Sequence, residues 1–415
     1  MPKIHLLFFD AGGGHRSAAT ALQAAAAESY PDWDIETLNI GKLLEPLDFF
    51  HKYGGIAGED IYNKILQHGL TLGAVGMLRA TQNIVYLNRK GIRRLMAAHW
   101  ERTKPDLVVS LIPNFNRPLF LALNSVLPHV PYMTVMTDMA DFPPHFWMEK
   151  QPQYVVCGTR HAAQQARNLG YDPVQVFCAS GMILQPRFYQ VPEVDIGLER
   201  KKLGLNPRLA TALVLFGGHG AAVMEDIYEK LQRSRLPVQG IFICGKNERL
   251  VKDLAKRRGK MPMHVEGFTK DVPSFMRLSD FFVGKPGPGS ISEAIHMNLP
   301  VVVQRNAWTL PQERYNTDWV EENRVGIVVR GFREVVKATA HLLDGDRLDR
   351  YRKNARAIQN KAVFEVPRFM AEVLRLGPAH SRMSQAALEK LGSSMVKKWL
   401  GTGQKKKSAV STSIR

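Results

Sequence analysis

The sequence predicts an α/β protein made of two tandem Rossmann-like domains. Short apolar runs alternate with helical patterns along most of its 415 residues, and this alternation indicates parallel βαβ units. Both halves also open in the same way, with an apolar strand that runs into glycines and a histidine: FFDAGGGH at 8–15 and LFGGHG at 215–220. A chain of this length exceeds what one ordinary core requires, which favours two domains.

The candidate strands of the first half are separated by helical segments or turns. We expect helices at 17–29, 91–103 and 161–169, where apolar residues recur at helical spacing. The strands are expected at Ile4–Phe9, Asp34–Leu38, Leu107–Leu111, Tyr132–Met136, Tyr154–Cys157 and Val174–Cys178.

A charged, proline-bearing stretch ends this alternation, and we expect a linker there, at 193–207. The two domains are therefore expected at 1–192 and 208–345. Helices at 347–361 and 366–376 would follow within a C-terminal segment, 346–376, and a basic, amphipathic and finally disordered tail would occupy 377–415. The strands of the second half are expected at Ala212–Phe216, Gly240–Cys244, His264–Val265, Phe281–Val283 and Pro300–Gln304.

The chain is strongly cationic, with a formal net charge of +18 and a pI of about 9.8. Such a protein is expected to meet a polyanion, namely nucleic acid, an anionic membrane surface or an acidic substrate. The alternative to a polyanionic partner is that the excess positive charge only forms a solvated surface. No zinc-finger, RNP or helix-turn-helix pattern is present, so nucleic acid is not the expected partner.

Cysteine usage and hydropathy indicate a cytoplasmic protein. Cys157, Cys178 and Cys244 form no CxxC and lie in or beside apolar runs, so we expect buried free thiols in a reducing compartment. The first apolar run is too short for a signal peptide. The longest uncharged stretch, 118–137, contains prolines at 118, 128 and 131, which argues against a membrane-spanning helix.

The glycine loop at 12–14 is the first candidate binding site. A strand that ends in glycines before a helix exposes backbone N–H groups at the positive helix N-terminus, where a phosphate or a polar substrate binds. The loop is neither a dinucleotide fingerprint nor a Walker A loop, and a tight turn alone would also explain it. His15 would project into the crevice at the carboxyl ends of the strands, either as a general base or as a capping residue bonded to a loop carbonyl.

The second half carries a denser set of polar motifs. We expect Ser290 to cap the helix that follows GPGS, and Glu293 to lie in its first turn. There a carboxylate would meet ribose hydroxyls, or would simply stabilise the helix dipole. In LPQERYN, the side chains of Gln312, Glu313 and Asn316 are expected at a helix start, as sugar recognition requires; a polar surface turn is the alternative.

Two basic, apolar segments are expected at a membrane surface. Residues 69–104 mix apolar side chains with arginines and lysines, and in the tail Leu388, Leu391, Met395 and Trp399 recur at helical spacing beside lysines. Such segments lie in a bilayer interface with their basic groups on anionic headgroups. A core-packing helix with a solvated basic face and, for the tail, a partner protein are the alternatives.

Taken in order, the motifs resemble those of the two-Rossmann (GT-B) glycosyltransferases of the monogalactosyldiacylglycerol synthase type, which are distantly related to the peptidoglycan N-acetylglucosaminyltransferase. The resemblance runs through about residues 4–345. It rests on DAGGGHRSAA, KPDLVVSLIPNFN, TVMTDMADFPPHFW, YVVCGTRHAAQQARNLGYDPVQVFCASGMILQPRF, VEGFTKDVPSFMRLSDFFVGKPGPGSISEAI and LPQERYN.

The resemblance implies an enzyme that transfers a hexose from UDP-galactose or UDP-glucose to diacylglycerol, with inversion at the anomeric carbon. The two domains would face each other across a cleft. Together with the basic, apolar segments described above, the resemblance leads us to expect an enzyme that is peripherally bound to the inner face of the cell membrane, with anionic lipids as further partners.

The matched motifs also imply roles for single residues. His15 is the implied general base, and Asp138 is the second residue expected to be catalytic. The acceptor-side residues are Gly12, Gly13, Gly14, His145 and Trp147. The donor-side residues are Gly217, Gly218 and His219 at the diphosphate, Gly267 and Phe268 at the uracil, Lys285, Gly287, Gly289 and Ser290 at the phosphates, Glu293 at the ribose, and Gln312, Glu313 and Asn316 at the sugar.

No metal or other cofactor is expected, because no D-x-D lies near the donor loops; backbone amides and Lys285 would stabilise the leaving UDP. Ile183 stands where the family usually has proline, and Leu310–Pro311 and Trp308 also depart from its motifs, so the motifs do not fix the sugar. The alternatives are a UDP-sugar 2-epimerase or a transferase with an isoprenoid-linked acceptor on the same fold, and a non-catalytic polyanion-binding protein.

Overall fold

The computed structural model describes residues 1–10, 13–47, 74–142 and 145–379. Their strands form two six-stranded sheets, in the orders β2-β1-β3-β4-β5-β6 and β12-β11-β10-β7-β8-β9, and every paired strand is parallel. The strands are β1 Lys3–Phe8, β2 Asp34–Asn39, β3 Leu107–Ser110, β4 Tyr132–Val135, β5 Tyr154–Cys157, β6 Val176–Cys178, β7 Ala210–Leu215, β8 Val238–Ile243, β9 Met263–Glu266, β10 Phe281–Gly284, β11 Val301–Gln304 and β12 Gly326–Val329.

Helices connect the strands within each sheet and follow the last strand. Short 3₁₀ segments, such as Pro311–Glu313, join several of them. The α-helices are α1 Gly14–Ser29, α2 Ile40–Leu43, α3 Ala74–Thr103, α4 Asn116–Val126, α5 Arg160–Leu169, α6 Ile196–Lys202, α7 Val223–Ser234, α8 Glu248–Ala255, α9 Val272–Arg277, α10 Pro288–His296, α11 Arg314–Glu322, α12 Val335–Leu343, α13 Arg347–Ala357 and α14 Ala362–Leu376.

Apolar layers on both faces of the first sheet hold its helices in place. On one face, Ala19 and Leu22 of α1 pack with Val366 and Met370 of α14, so the helix at the end of the described chain returns to the first half. On the other face lie the buried side chains of α3 and α4, including Trp100. Burial of side chains on both faces is what a parallel sheet requires.

The segment predicted as a linker is tied to the second half. Arg200 in α6 is buried, and its guanidinium donates hydrogen bonds to the Leu278 carbonyl at 2.9 Å and to Asp280 Oδ2 at 2.8 Å. In the sequence, the segment at 193–207 lies between the last strand of the first sheet and the first strand of the second. The domain boundaries stay a prediction.

The predicted strands are present, with ends that differ by at most two residues, but other details differ from the sequence expectations, and α14 starts at Ala362 rather than at the predicted residue 366. Strand β12 was not predicted, since no glycine or proline precedes it and Arg324 makes the turn at φ 52°. Helix α13 ends at Ala357, before the predicted residue 361. Helix α3 starts at Ala74, well before the predicted residue 91. Cys178 is exposed rather than buried, because it ends an edge strand.

Helix α3 has the core-packed face that the plainer interpretation of its sequence predicts: Val85, Ile92, Met96 and Trp100 are buried. Its basic side chains at 79, 90, 94 and 102 are exposed, as is Leu87. No helix in the described ranges has the length and apolar character needed to cross a bilayer. The predicted tail segment, with Leu388 and Trp399, lies outside those ranges.

Candidate functional site

The candidate residues follow strands of both sheets at their carboxyl ends, the edge at which parallel α/β sheets bind ligands. His15 comes after β1 and Asp138 after β4. Lys285 comes after β10, and Glu313 follows β11 through the loop at 305–310. Since β1 and β4 flank β3, and β10 and β11 are neighbours, the sheet orders place each pair close together.

Gly13 sets the direction of the first loop. It is the N-cap of α1 and has φ 79°, a left-handed conformation that favours glycine. Gly14 and His15 are then the first two residues of the helix. An ion pair between Arg16 Nη1 and Asp10 Oδ2, 2.9 Å apart, spans this turn. Gly12 lies outside the described residues.

The His15 side chain contacts residues of its own half, and its low pKa makes it neutral near pH 7. Its Nδ1 lies 3.1 Å from Thr137 Oγ1, a partner that the sequence analysis did not assign. Desolvation lowers the pKa of His15 to about 4, and a backbone hydrogen bond with Leu111 acts in the opposite direction. A neutral imidazole has a lone pair with which to accept a proton, as a general base must.

Asp138 is linked to His15 through Trp147 rather than directly. The indole Nε1 of Trp147 donates a 2.8 Å hydrogen bond to Asp138 Oδ2, and the rings of His15 and Trp147 are tilted with centroids 5.8 Å apart. Trp147 is fully buried. Its contact with Asp138 is therefore internal to the protein.

Asp141, which the sequence analysis missed, shapes the loop that carries Trp147. Its Oδ1 accepts from the Trp147 backbone N–H at 2.7 Å, and its Oδ2 accepts from the His145 N–H at 2.9 Å. His145 has φ 66°, and its Nδ1 lies 3.3 Å from the Met148 carbonyl oxygen. Asp141 thus orders a non-glycine left-handed turn that brings the indole to Asp138.

In the second half, two glycine loops close around the Lys285 side chain. A Cβ on Gly217 or on Gly287 would lie 3.5 Å from Lys285 Cε. Gly217 has φ 80°, and Gly287 is the N-cap of α10. The Lys285 Nζ lies 3.8 Å from Glu313 Oε1. The loops therefore present a cation next to backbone amides, a combination that suits a diphosphate.

The charge of Glu313, in the second half, affects the pKa of Asp138, in the first half. Burial raises the pKa of Asp138 to about 7; the Trp147 hydrogen bond lowers it, and the charges of Glu313 and Asp141 raise it further. Glu313 belongs to the second half, so its charge acts on Asp138 from the other half of the chain. His15, Trp147 and Asp138 are connected by contacts, as are Lys285 and Glu313, and the effect of the Glu313 charge on Asp138 links the two sets into one connected group.

Gln312 and Asn316 are buried beside Glu313. Gln312 and Glu313 end the 3₁₀ segment, and Asn316 lies in the first turn of α11, so the predicted helix start is present. Asn316 Nδ2 donates to the Pro286 carbonyl at 2.8 Å. Its Oδ1 is buried and has no hydrogen-bond partner among the described residues, although buried polar atoms normally have one.

Ser290 and Glu293 are placed differently from the sequence expectation. Helix α10 begins at Pro288 after its N-cap Gly287, and no side chain caps it. Ser290 is therefore inside the helix, and Glu293 lies in its second turn. The reason is Pro288, whose fixed φ suits a first helical position and starts the helix earlier. Burial raises the pKa of Glu293 to about 7, and Arg187 opposes that shift.

The remaining donor-side candidates lie on neighbouring loops. Gly218 accepts from the Lys246 N–H at 2.9 Å, and the Lys246 ammonium lies 5.5 Å from the ring centroid of Phe268, which is 58% exposed. Gly267 precedes that ring, His219 is exposed, and Gly289 has open space at its Cβ position. The exposed ring is available to a planar base.

Within the described ranges, no three His, Cys, Asp or Glu side chains are grouped so as to hold a metal ion. The expectation that the reaction needs no metal stays a prediction.

Comparison with curated proteins identifies relatives along most of the chain. No family model matches the sequence. The chain is 29% identical over 389 residues to a probable monogalactosyldiacylglycerol synthase 2 of Oryza sativa subsp. indica, covering 87% of this chain and 78% of that protein. It is 26% identical over 395 residues to the monogalactosyldiacylglycerol synthase of Spinacia oleracea, covering 90% and 73%. Both relatives are described as chloroplastic.

Solved structures share the fold. MurG of Acinetobacter baumannii has a TM-score of 0.56 and 13% identity, covering 90% of this chain and 100% of that one. A putative UDP-N-acetylglucosamine 2-epimerase of Listeria monocytogenes has a TM-score of 0.57 and 16% identity, covering 89% and 95%. Anabaena HepE in complex with UDP-glucose has a TM-score of 0.51 and 16% identity, covering 90% and 100%. The fold class and the resemblance predicted from the motifs are confirmed: the chain has the GT-B fold, and along most of its length it is similar to the monogalactosyldiacylglycerol synthases.

Proposed function

We propose that this protein transfers a hexose from UDP-galactose or UDP-glucose to diacylglycerol, with inversion, at the inner face of the cell membrane. The observation that carries the proposal is the connected group across the cleft. His15 and Asp138 come from one half, and Lys285 and Glu313 come from the other. Its relatives named as monogalactosyldiacylglycerol synthases support a glycolipid product.

In the proposed reaction, the free hydroxyl of diacylglycerol attacks the anomeric carbon while the bond from that carbon to the UDP oxygen breaks. The proton of the hydroxyl passes to the neutral His15 imidazole. Attack on the face opposite to the leaving group inverts the anomeric centre. A positioned base of this kind typically contributes about 10²–10⁴-fold to the rate.

The donor half would stabilise the negative charge that develops on UDP. Lys285 and the backbone N–H groups around Gly217 and Gly287 supply positive charge and hydrogen-bond donors without a metal. Phe268 would stack on the uracil, and Glu293 would accept hydrogen bonds from the ribose. Gln312, Glu313 and Asn316 would bind the sugar hydroxyls, and the unpartnered Oδ1 of Asn316 is an acceptor suited to one of them.

The test is to supply the purified full-length chain with each donor separately, together with diacylglycerol in liposomes, and to analyse the lipids by mass spectrometry. Separate donors are needed because the two hexoses have equal mass, and proton coupling at the anomeric carbon reports inversion. A monohexosyl diacylglycerol with a β linkage is expected, and chelation of divalent metals should leave its formation intact. Failure to form it with either donor contradicts the proposal.

The main rival is the 2-epimerase, since a protein described as one shares the fold with nearly the same TM-score as MurG. Incubation with UDP-N-acetylglucosamine alone, followed by chromatography of the nucleotide sugars, separates the two activities. Epimerisation without glycolipid formation would favour the rival.

Membrane association is a separate part of the proposal. Truncation after Leu376 removes the basic tail, and binding to liposomes that contain anionic lipids should weaken. The full-length chain on neutral liposomes is the control. Unchanged binding to anionic liposomes would exclude a role for the tail.

A further inference from the structure

His161 and Tyr315 form a stacked pair that joins the two halves beside the candidate site. Their ring centroids are 4.1 Å apart and their planes differ by 20°. His161 is the second residue of α5, in the first half, and Tyr315 is the second residue of α11, in the second. Stacked aromatic pairs of this kind contribute beyond the area they bury.

The first-half end of this contact is anchored next to Asp138. Thr159 is the N-cap of α5, and its Oγ1 accepts from the Ala162 N–H at 3.1 Å. The same hydroxyl donates to the carbonyl of Met139, the residue that follows Asp138, at 2.5 Å. The position of the His161 ring is therefore tied to the segment that carries Asp138.

In the second half, the contact lies within QERYN, residues 312–316, the motif that would bind the sugar. Tyr315 is one of the two residues between Glu313 and Asn316 in QERYN. Its hydroxyl donates to Glu322 Oε2 at 3.3 Å, about two turns further along α11. The ring is therefore fixed relative to the helix, and a contact at the ring sets the position of Glu313 and Asn316.

Packing around the stack is incomplete. A cavity of about 660 Å³ lies beside it, lined from the first half by residues such as Thr159 and Met182, and from the second by Trp319 and Asn323. Because open space separates α5 from α11 around the rings, the stack is not backed by a continuous packed layer. Loss of either ring would leave this junction weakly held.

We propose that the His161–Tyr315 stack is a positioning contact that holds the QERYN motif against Asp138 when the two halves close for sugar transfer. This inference rests on the proposed function for its kinetic readout. Neither ring touches the reacting atoms; both act through Glu313 and Asn316. Breaking the stack should lower kcat more than it weakens binding of UDP, which needs only the second half.

The experiment compares ring-removing with ring-keeping variants of the full-length chain. His161→Ala and Tyr315→Ala should each lower kcat about 10-fold or more, with the Kd for UDP within about threefold of the wild type. His161→Phe and Tyr315→Phe, which keep a ring, should restore kcat to within about threefold. The double alanine variant should be no slower than the slower single variant, because the two rings act as one unit. Asn168→Ala, an exposed change about two turns further along α5, is the matched control.

Two results would overturn the inference: alanine variants that retain wild-type kcat, and losses that multiply in the double variant. A second measurement does not depend on sugar transfer, so it tests the positioning contact independently of the proposed function. With UDP bound, hydrogen exchange of 137–142 and of 311–322 should be faster in His161→Ala than in His161→Phe; equal exchange counts against the stack. If the wild type forms no glycolipid while exchange behaves as expected, the proposed function fails and the positioning contact stands.

Discussion

The indole nitrogen of Trp147 donates a hydrogen bond to Asp138, 2.8 Å away, and it does so from a fully buried ring. This bond favours the ionised carboxylate, whereas burial and the charge of Glu313 favour the protonated form. The balance leaves the pKa of Asp138 at about 7. Asp138 therefore changes charge in the physiological range, and each neighbour moves its pKa in a known direction.

Opposite changes at these two neighbours should move the titration of Asp138 in opposite directions. Glu313→Gln removes a negative charge and should lower the pKa of Asp138 below 7. Trp147→Phe removes the hydrogen bond to the charged form and should raise it. Carbon-13 NMR of the side-chain carboxyls measures both shifts, with Asp138→Asn identifying the signal. Shifts of the same sign would contradict the arrangement.

His15→Ala should abolish transfer but not donor binding. The imidazole is the proposed proton acceptor, and it lies in the first half, away from the loops that would hold UDP. We expect kcat to fall by about 10²–10⁴-fold, with the Kd for UDP from calorimetry within about threefold. Thr137→Val, which removes the hydroxyl next to Nδ1, should cost less. Turnover of His15→Ala within a few-fold of the wild type would exclude His15 as the base.

Except for β12, the sequence predicted the described strands, together with the loops that carry the candidate residues, because apolar runs and glycine–histidine turns are local signals. It also predicted the polar start of α11 from LPQERYN. It did not predict the Trp147–Asp138 bond, which depends on a left-handed turn at His145 ordered by Asp141. The meeting of Asp138 with Glu313 was equally inaccessible, since it depends on how two separately folded sheets are placed.

Glu293 should make the protein less stable as the pH rises. Its folded-state pKa, about 7, lies above the ordinary value of 4.5. Its favourable contribution is therefore complete below pH 4.5 and is lost as the pH rises through 7. Glu293→Gln should reduce the fall in the free energy of unfolding between pH 5 and pH 8 by about 1–3 kcal/mol. Urea unfolding at several pH values measures this, with the exposed Glu248→Gln as the control; equal pH dependence in both variants would contradict it.

Lys285→Met should slow the transfer step. The variant keeps most of the alkyl chain between Gly217 and Gly287 but removes the charge that would stabilise the leaving diphosphate. Loss of one such electrostatic contact typically costs about 10²–10³-fold in kcat. Single-turnover measurements with saturating donor separate this effect from binding. A rate equal to that of the wild type would show that the ammonium does not act on the leaving group.

Alanine at Gly217 and at Gly287 should have unequal effects on stability. At both positions the new Cβ would lie 3.5 Å from Lys285 Cε, an ordinary contact distance. Only Gly217 has a positive φ, 80°, whereas Gly287 has φ −68°. Gly217→Ala should therefore cost about 1–2 kcal/mol of folding free energy through backbone strain, while Gly287→Ala should stay within about 0.5 kcal/mol of the wild type. Urea unfolding of the two variants is the measurement, and equal losses would show that crowding at Lys285, rather than backbone conformation, decides which residue fits there.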